Sequence, residues 1–157
     1  MKTASVSEIK KELQDLAPAK LAELCLKLIK YKKENKELLT YLLFESHDEQ
    51  AYTENVQAII SEGFSELPRA NLHLTKKSVR KILRITNKYI RYTGSKQVET
   101  ELLLYFCKRF NETGLASRKS MALHNIFIQQ QKKIEASLAT LHEDLQYDYR
   151  RQLQEIF

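Results

Sequence analysis

The chain has 157 residues, 43% of them apolar and 29% charged, with three Gly, two Pro and two Cys. This composition excludes collagen-like, disulfide-framework and membrane-spanning classes, and it supplies enough chain for one domain to bury a core without metal or disulfide help. The formal net charge of +6 is uneven, because the stretch from Leu67 to Val98 holds nine cations and no carboxylate, +9 in all, which leaves the remainder at −3.

Leu dominates the apolar residues, Val occurs only four times and Trp is absent, a balance that favours helix over strand. The first helix is expected near Ser5 or Ser7, since Ser5 and Glu8 have capping-box spacing, with Val6, Ile9, Leu13 and Leu16 as its buried stripe. Pro18 suits the first turn of a second helix, where its missing N–H is harmless; Leu21, Leu24, Cys25, Leu28 and Ile29 follow along one face. A short third helix is expected over about 35–44.

Ser46 and Glu49 repeat the capping-box spacing and predict a fourth helix with Tyr52, Val56, Ile59 and Ile60 facing inward. Gly63 is expected to end it in the left-handed conformation. The segment 67–74 reads as the longest connection and as the midpoint of the fold. Thr75 is expected to cap a fifth helix running to about Tyr92, with Gly94 as its stop.

Ser95 should cap a sixth helix with Val98, Leu102, Tyr105, Phe106 and Phe110 on its stripe and Gly114 after it. Beyond Ser117 there is no Gly or Pro. An unbroken helix from there would be on the order of 60 Å long, so it must bend or protrude, either at the polar run 129–133 or at His142-Glu143-Asp144. The expected architecture is all-α: one domain of seven or eight helices in stacked antiparallel hairpins, with the roughly 40-residue recurrence of HEAT-like helical repeats. If the domain subdivides, 67–74 is the place.

Motifs for chemistry are missing: there is no Gly-rich phosphate loop, no His-Glu-x-x-His, no Cys-x-x-Cys and no Gly-x-Ser-x-Gly. The cluster Glu45-Ser46-His47-Asp48-Glu49 has metal-ligand residue types, but carboxylates at a helix start are explained by capping and the helix dipole. No catalytic residue, cofactor or metal is therefore expected. Cys25 and Cys107 lie among apolar neighbours, as small buried hydrophobes of a reducing compartment do, and with no secretory signal at the start the expected address is cytoplasmic.

The one surface with a functional signature is the fifth helix. On a helical wheel its seven cations, Lys76, Lys77, Arg80, Lys81, Arg84, Lys88 and Arg91, occupy roughly 140° of arc. Val79, Ile82, Leu83, Ile85, Tyr89, Ile90 and Tyr92 occupy the other side. Two readings stay open: a solvated face partly neutralised by Glu99, Glu101 or Glu112, and a binding face for nucleic acid, another polyanion or an acidic protein. On the second reading, Lys77, Lys81, Arg84, Lys88 and Arg91 supply charge and Arg80 holds phosphate or carboxylate bidentately. Contact is expected at phosphates and not at bases, because the tyrosines fall on the apolar side. The alternative is assembly, as a homodimer or with a partner helix, through the C-terminal seam of Ile134, Leu138, Leu141, Leu145 and Tyr149; the same residues also suit packing on the chain's own body.

The opening, Ser7-Glu8-Ile9-Lys10-Lys11-Glu12-Leu13 with Leu21-Ala22-Glu23-Leu24 and Tyr31-Lys32-Lys33-Glu34-Asn35-Lys36-Glu37-Leu38-Leu39, resembles a family of small all-helical bacterial proteins of unknown function. The resemblance covers about residues 7–44. It implies an all-α cytoplasmic protein and transfers no catalytic residue.

Overall fold

The computed structural model describes residues 2–157, which form eight α-helices and one π-helical turn with no strand among them. None of these helices is long and apolar enough to cross a membrane. The chain divides into two compact units at Phe44–Glu45. The boundary thus precedes the expected 67–74 segment, which is an internal connection of the second unit.

The first unit holds α1 (Val6–Gln14), α2 (Pro18–Tyr31) and α3 (Lys33–Thr40), followed by the π-helical turn Tyr41–Glu45 at the boundary. The predicted capping box is present: the Ser5 hydroxyl accepts from the Glu8 amide, and the Ser5 amide and hydroxyl donate to the Glu8 carboxylate, holding its pKa below the usual range. Pro18 opens α2 as expected. None of these three helices contains a buried residue: Val6, Ile9 and Leu13, expected inside, are exposed because α1 has too little around it to cover them, and α2 and α3 leave apolar side chains such as Leu28 and Leu38 in water. Cys25, expected inside, is exposed, because the α2–α3 hairpin is too thin to cover it; Cys107 of the second unit is buried, and both thiols are free. Burial pushes the Cys107 thiol up to about 12. A thiol-specific chromogenic reagent is therefore expected to modify one cysteine in the native protein and both in denaturant; rapid native modification of both would contradict this packing.

The second unit contains α4 (Glu49–Ser65), α5 (Leu72–Thr93), α6 (Lys96–Glu112), α7 (Met121–Leu138) and α8 (Glu143–Ile156). Cross-helix bonds give their directions. The Tyr52 hydroxyl at the start of α4 donates to the Tyr89 carbonyl near the end of α5, so the two run antiparallel. Ser61 and Tyr105, Thr100 and Ser137, and Glu101 and Tyr149 likewise make α4, α6 and α8 parallel to one another and α7 opposed. Consecutive helices pack as neighbours, and α6 also packs on α4 and α8, the layering of stacked helical hairpins.

Lying mid-stack, α6 is buried around most of its circumference, with Val98, Leu102, Leu103, Leu104, Phe106, Cys107 and Phe110 interior and Lys108 and Glu112 on the exposed side. Phe64, Phe106, Phe110, Phe127 and Phe157 form a chain of ring contacts with centroids 4.3–6.3 Å apart across α4, α6, α7 and the residue after α8.

Several local expectations are corrected. The side-chain cap of α4 is Asp48, whose carboxylate accepts from the Ala51 amide, because the π-helical turn carries the chain two residues past Ser46 before α4 begins. Ile59 points outward from α4, while Tyr52, Val56 and Ile60 are buried as expected. Gly63 does not end the helix. It lies inside α4, where an added Cβ would stand 2.8 Å from Ile82 Cγ1 and 3.2 Å from Ile82 Cδ1, so glycine lets α4 and α5 approach closely. Gly63→Leu is expected to cost about 1–3 kcal/mol by overpacking, with Gly63→Ala milder because alanine regains up to about 1 kcal/mol of helix propensity. Urea unfolding measures both, and a Gly63→Leu protein as stable as wild type would remove the close-approach explanation.

In the C-terminal part the break comes at the second of the two expected places. The polar run 129–133 is continuous helix within α7, with Gln130 buried and donating to the Ile126 carbonyl, and the turn lies at 139–142, where His142 caps α8. Ile134, Leu138 and Tyr149 are buried and Leu141 and Leu145 half-buried within this unit, so the C-terminal seam packs on the chain's own body.

Candidate polyanion-binding site

The strongest functional surface is α5, and its ends are built from turn chemistry. The Asn71 side chain accepts from the His73 and Leu74 amides and caps the helix. Thr75, the expected cap, is instead buried in the first turn, its hydroxyl 2.7 Å from the Pro68 carbonyl, tying the preceding connection to the helix. Gly94, at φ 64°, closes the other end with its N–H on the Ile90 carbonyl.

Between those ends one face is core: Thr75, Val79, Ile82, Thr86 and Ile90 are buried. Their spacing centres the buried face roughly 160° around the helix from Arg84, so the cationic side points directly away from the body. Lys77, Arg80, Lys81, Arg84 and Arg91 are exposed. Among the described residues, no carboxylate lies within ion-pair distance of any of these five, and their side chains donate to no internal acceptor. Lys76 and Lys88 are half-buried at the margins, and the Lys88 ammonium lies 4.7 Å from the centre of the Tyr89 ring.

The acidic residues expected to neutralise the ridge are committed elsewhere. Lys96 holds Glu99 at 2.6 Å, Arg109 holds Glu112, and Glu101 accepts from the Tyr149 hydroxyl. Glu62 and Glu66 of the α4 end flank Lys81 in a small depression of about 230 Å³ beside the ridge, without reaching ion-pair distance.

Two larger depressions run along the ridge. One, of about 530 Å³, is lined by His73, Lys77, Ser78, Arg80, Lys81 and Arg84. The other, of about 480 Å³, is lined by Arg80, Arg84 and Arg91 with Leu83, Asn87, Ile90 and Glu99, and by Lys133 from α7. Arg80 and Arg84 border both. Lys133 was not legible as a site residue, since its polar run reads in sequence as a helix break; only the packing of α7 brings it beside the arginines of α5.

The aromatic residues near the ridge are already occupied. Tyr89 packs edge-on against both Tyr52 and Tyr92, with ring centroids 6.4 and 5.9 Å apart. Asn87 donates its side-chain amide to the Leu83 carbonyl. What the ridge offers a ligand is therefore an array of charged donors, bordered in the second depression by the Lys96-held carboxylate Glu99, and suited to a repeating anion.

A cavity of about 730 Å³ between α4, α6 and α8 has the opposite character. Several of its polar groups are already bonded: Tyr149 to Glu101, Tyr105 to Ser61 at 2.5 Å, Asn111 to the Ile156 carbonyl at 2.6 Å. Among the described residues no group of three or more His, Cys, Asp and Glu is placed to hold a metal ion, and Asp48 of the 45–49 cluster serves as the α4 cap. Comparison of the chain with family models, with curated proteins and with solved structures yields no significant match in any of the three.

Proposed function

We propose that the protein is a non-enzymatic binding module that holds a polyanion, nucleic acid foremost, along the outer face of α5. The observation that carries this reading is the set of five exposed cations on one helix face with no carboxylate within ion-pair distance among the described residues, Glu99, Glu101 and Glu112 being bound elsewhere. Energetics support it. Lys77, Arg80, Lys81 and Arg84 stand three or four residues apart in four like-charge pairs, each destabilising by about 0.2–0.5 kcal/mol, so the ridge costs the folded protein roughly 1–2 kcal/mol. A phosphate backbone converts that repulsion into attraction.

The alternative, assembly through the C-terminal helix, loses support because its seam is occupied within the chain. The test is fluorescence anisotropy with labelled, random-sequence duplex DNA and RNA. Six cations, the five of α5 and Lys133, predict a slope of log K against log salt of about −5, or roughly a 10³-fold loss between about 50 and 200 mM. Absence of binding at the lower salt, or binding indifferent to salt, overturns the reading.

A further inference from the structure

We infer that the preferred ligand of the ridge is double-stranded nucleic acid, recognised without regard to sequence and held from two helices at once, α5 and Lys133 of α7. This rests on the polyanion reading and narrows it. Proteins that grip single strands combine a cationic groove with aromatic faces, because stacking at about 1–3 kcal/mol per base offsets the ordering of a flexible chain. The ridge has no such platform. Tyr89 is sandwiched edge-on between Tyr52 and Tyr92, with the Lys88 ammonium near its ring, and of the two depressions along the ridge one holds no aromatic ring and the other only His73, at its far end. A duplex keeps its bases stacked on one another and needs only phosphate contacts.

Counterion release points the same way. A phosphate contact frees about 0.9 counterion from duplex DNA against about 0.7 from a single strand, so six contacts favour duplex by about 16-fold at roughly 0.1 M salt. Asn87, the carboxamide in the second depression, spends its amide on the Leu83 carbonyl and so makes no two-bond contact to adenine. Lys133 broadens the footprint sideways from the α5 axis, beside Arg80, Arg84 and Arg91. A charge set off the α5 axis suits a rigid ligand presenting phosphates on two strands, whereas a single strand can follow α5 alone.

The experiment is a competition titration of the full chain at about 0.1 M salt, with duplex DNA, duplex RNA, single-stranded DNA of equal phosphate count, and heparin, repeated with Lys133→Glu. Expected are at least about tenfold tighter binding of either duplex than of the single strand, sequence-scrambled duplexes equal within about twofold, and a loss of about three- to tenfold on duplex for Lys133→Glu that the single strand does not share. Single-stranded DNA binding as tightly as duplex, or Lys133→Glu weakening both equally, overturns this inference while leaving the polyanion reading in place. If no probe binds, both fall.

Discussion

Replacing Arg80, Arg84 and Arg91 together by Glu is expected to lower the affinity for duplex DNA by at least about 100-fold near 0.1 M salt and to bring the salt slope from about −5 to about −3. These three guanidinium groups line the depression that Lys133 also borders, and two of them border its neighbour, so the substitution removes the centre of the ridge. Because all three are exposed and unpaired, reversal should leave the fold intact and relieve like-charge repulsion. The control is Arg→Lys at the same positions, which keeps the charge and loses the bidentate fork; it should preserve most of the slope while weakening binding modestly. A reversed protein that folds normally and still binds duplex with native affinity would remove α5 from the interaction.

Phe106→Ala is expected to cost about 3–5 kcal/mol, a large part of the stability of a domain this size, and to lower the melting temperature by on the order of 10–20 °C. Phe106 is fully buried at the middle of the stack, with its ring centroid 5.2 Å from Phe64 and 6.3 Å from Phe110. Truncation there leaves a void that α4 and α7, each fastened to α6 by other contacts, cannot both move to fill. Tyr147→Ala, at a position 74% exposed on α8, should change the melting temperature little. Equal melting temperatures for Phe106→Ala and wild type in thermal denaturation followed by circular dichroism would show that α6 is not the centre of the core.

Both results concern features of different legibility. The helices themselves were readable wherever a local rule acts within a few residues: Ser5 with Glu8, Pro18 opening α2, Ser95 capping α6 and Gly94 closing α5 at positive φ. The rule failed where two candidates compete within one turn. Asp48 displaces Ser46, and Asn71 displaces Thr75, because the backbone leading into each helix decides which side chain reaches the free amides. Gly63 was misread for a related reason: glycine serves both as a helix stop and as a point of close approach, and only the position of Ile82 distinguishes them.

The amino-acid sequence determined on its own that the protein is all-helical and that seven cations share one face of α5, since apolar period, caps and wheel position are properties of consecutive residues. The tertiary structure decided the rest. It split the chain at Phe44–Glu45, turned the C-terminal seam inward, bound Glu99, Glu101 and Glu112 to partners off the ridge, and brought Lys133 beside Arg84 and Arg91. The physical reason is range: a wheel angle follows from local geometry at 100° per residue, whereas whether a charge is neutralised depends on side chains that only folding brings within a few ångströms.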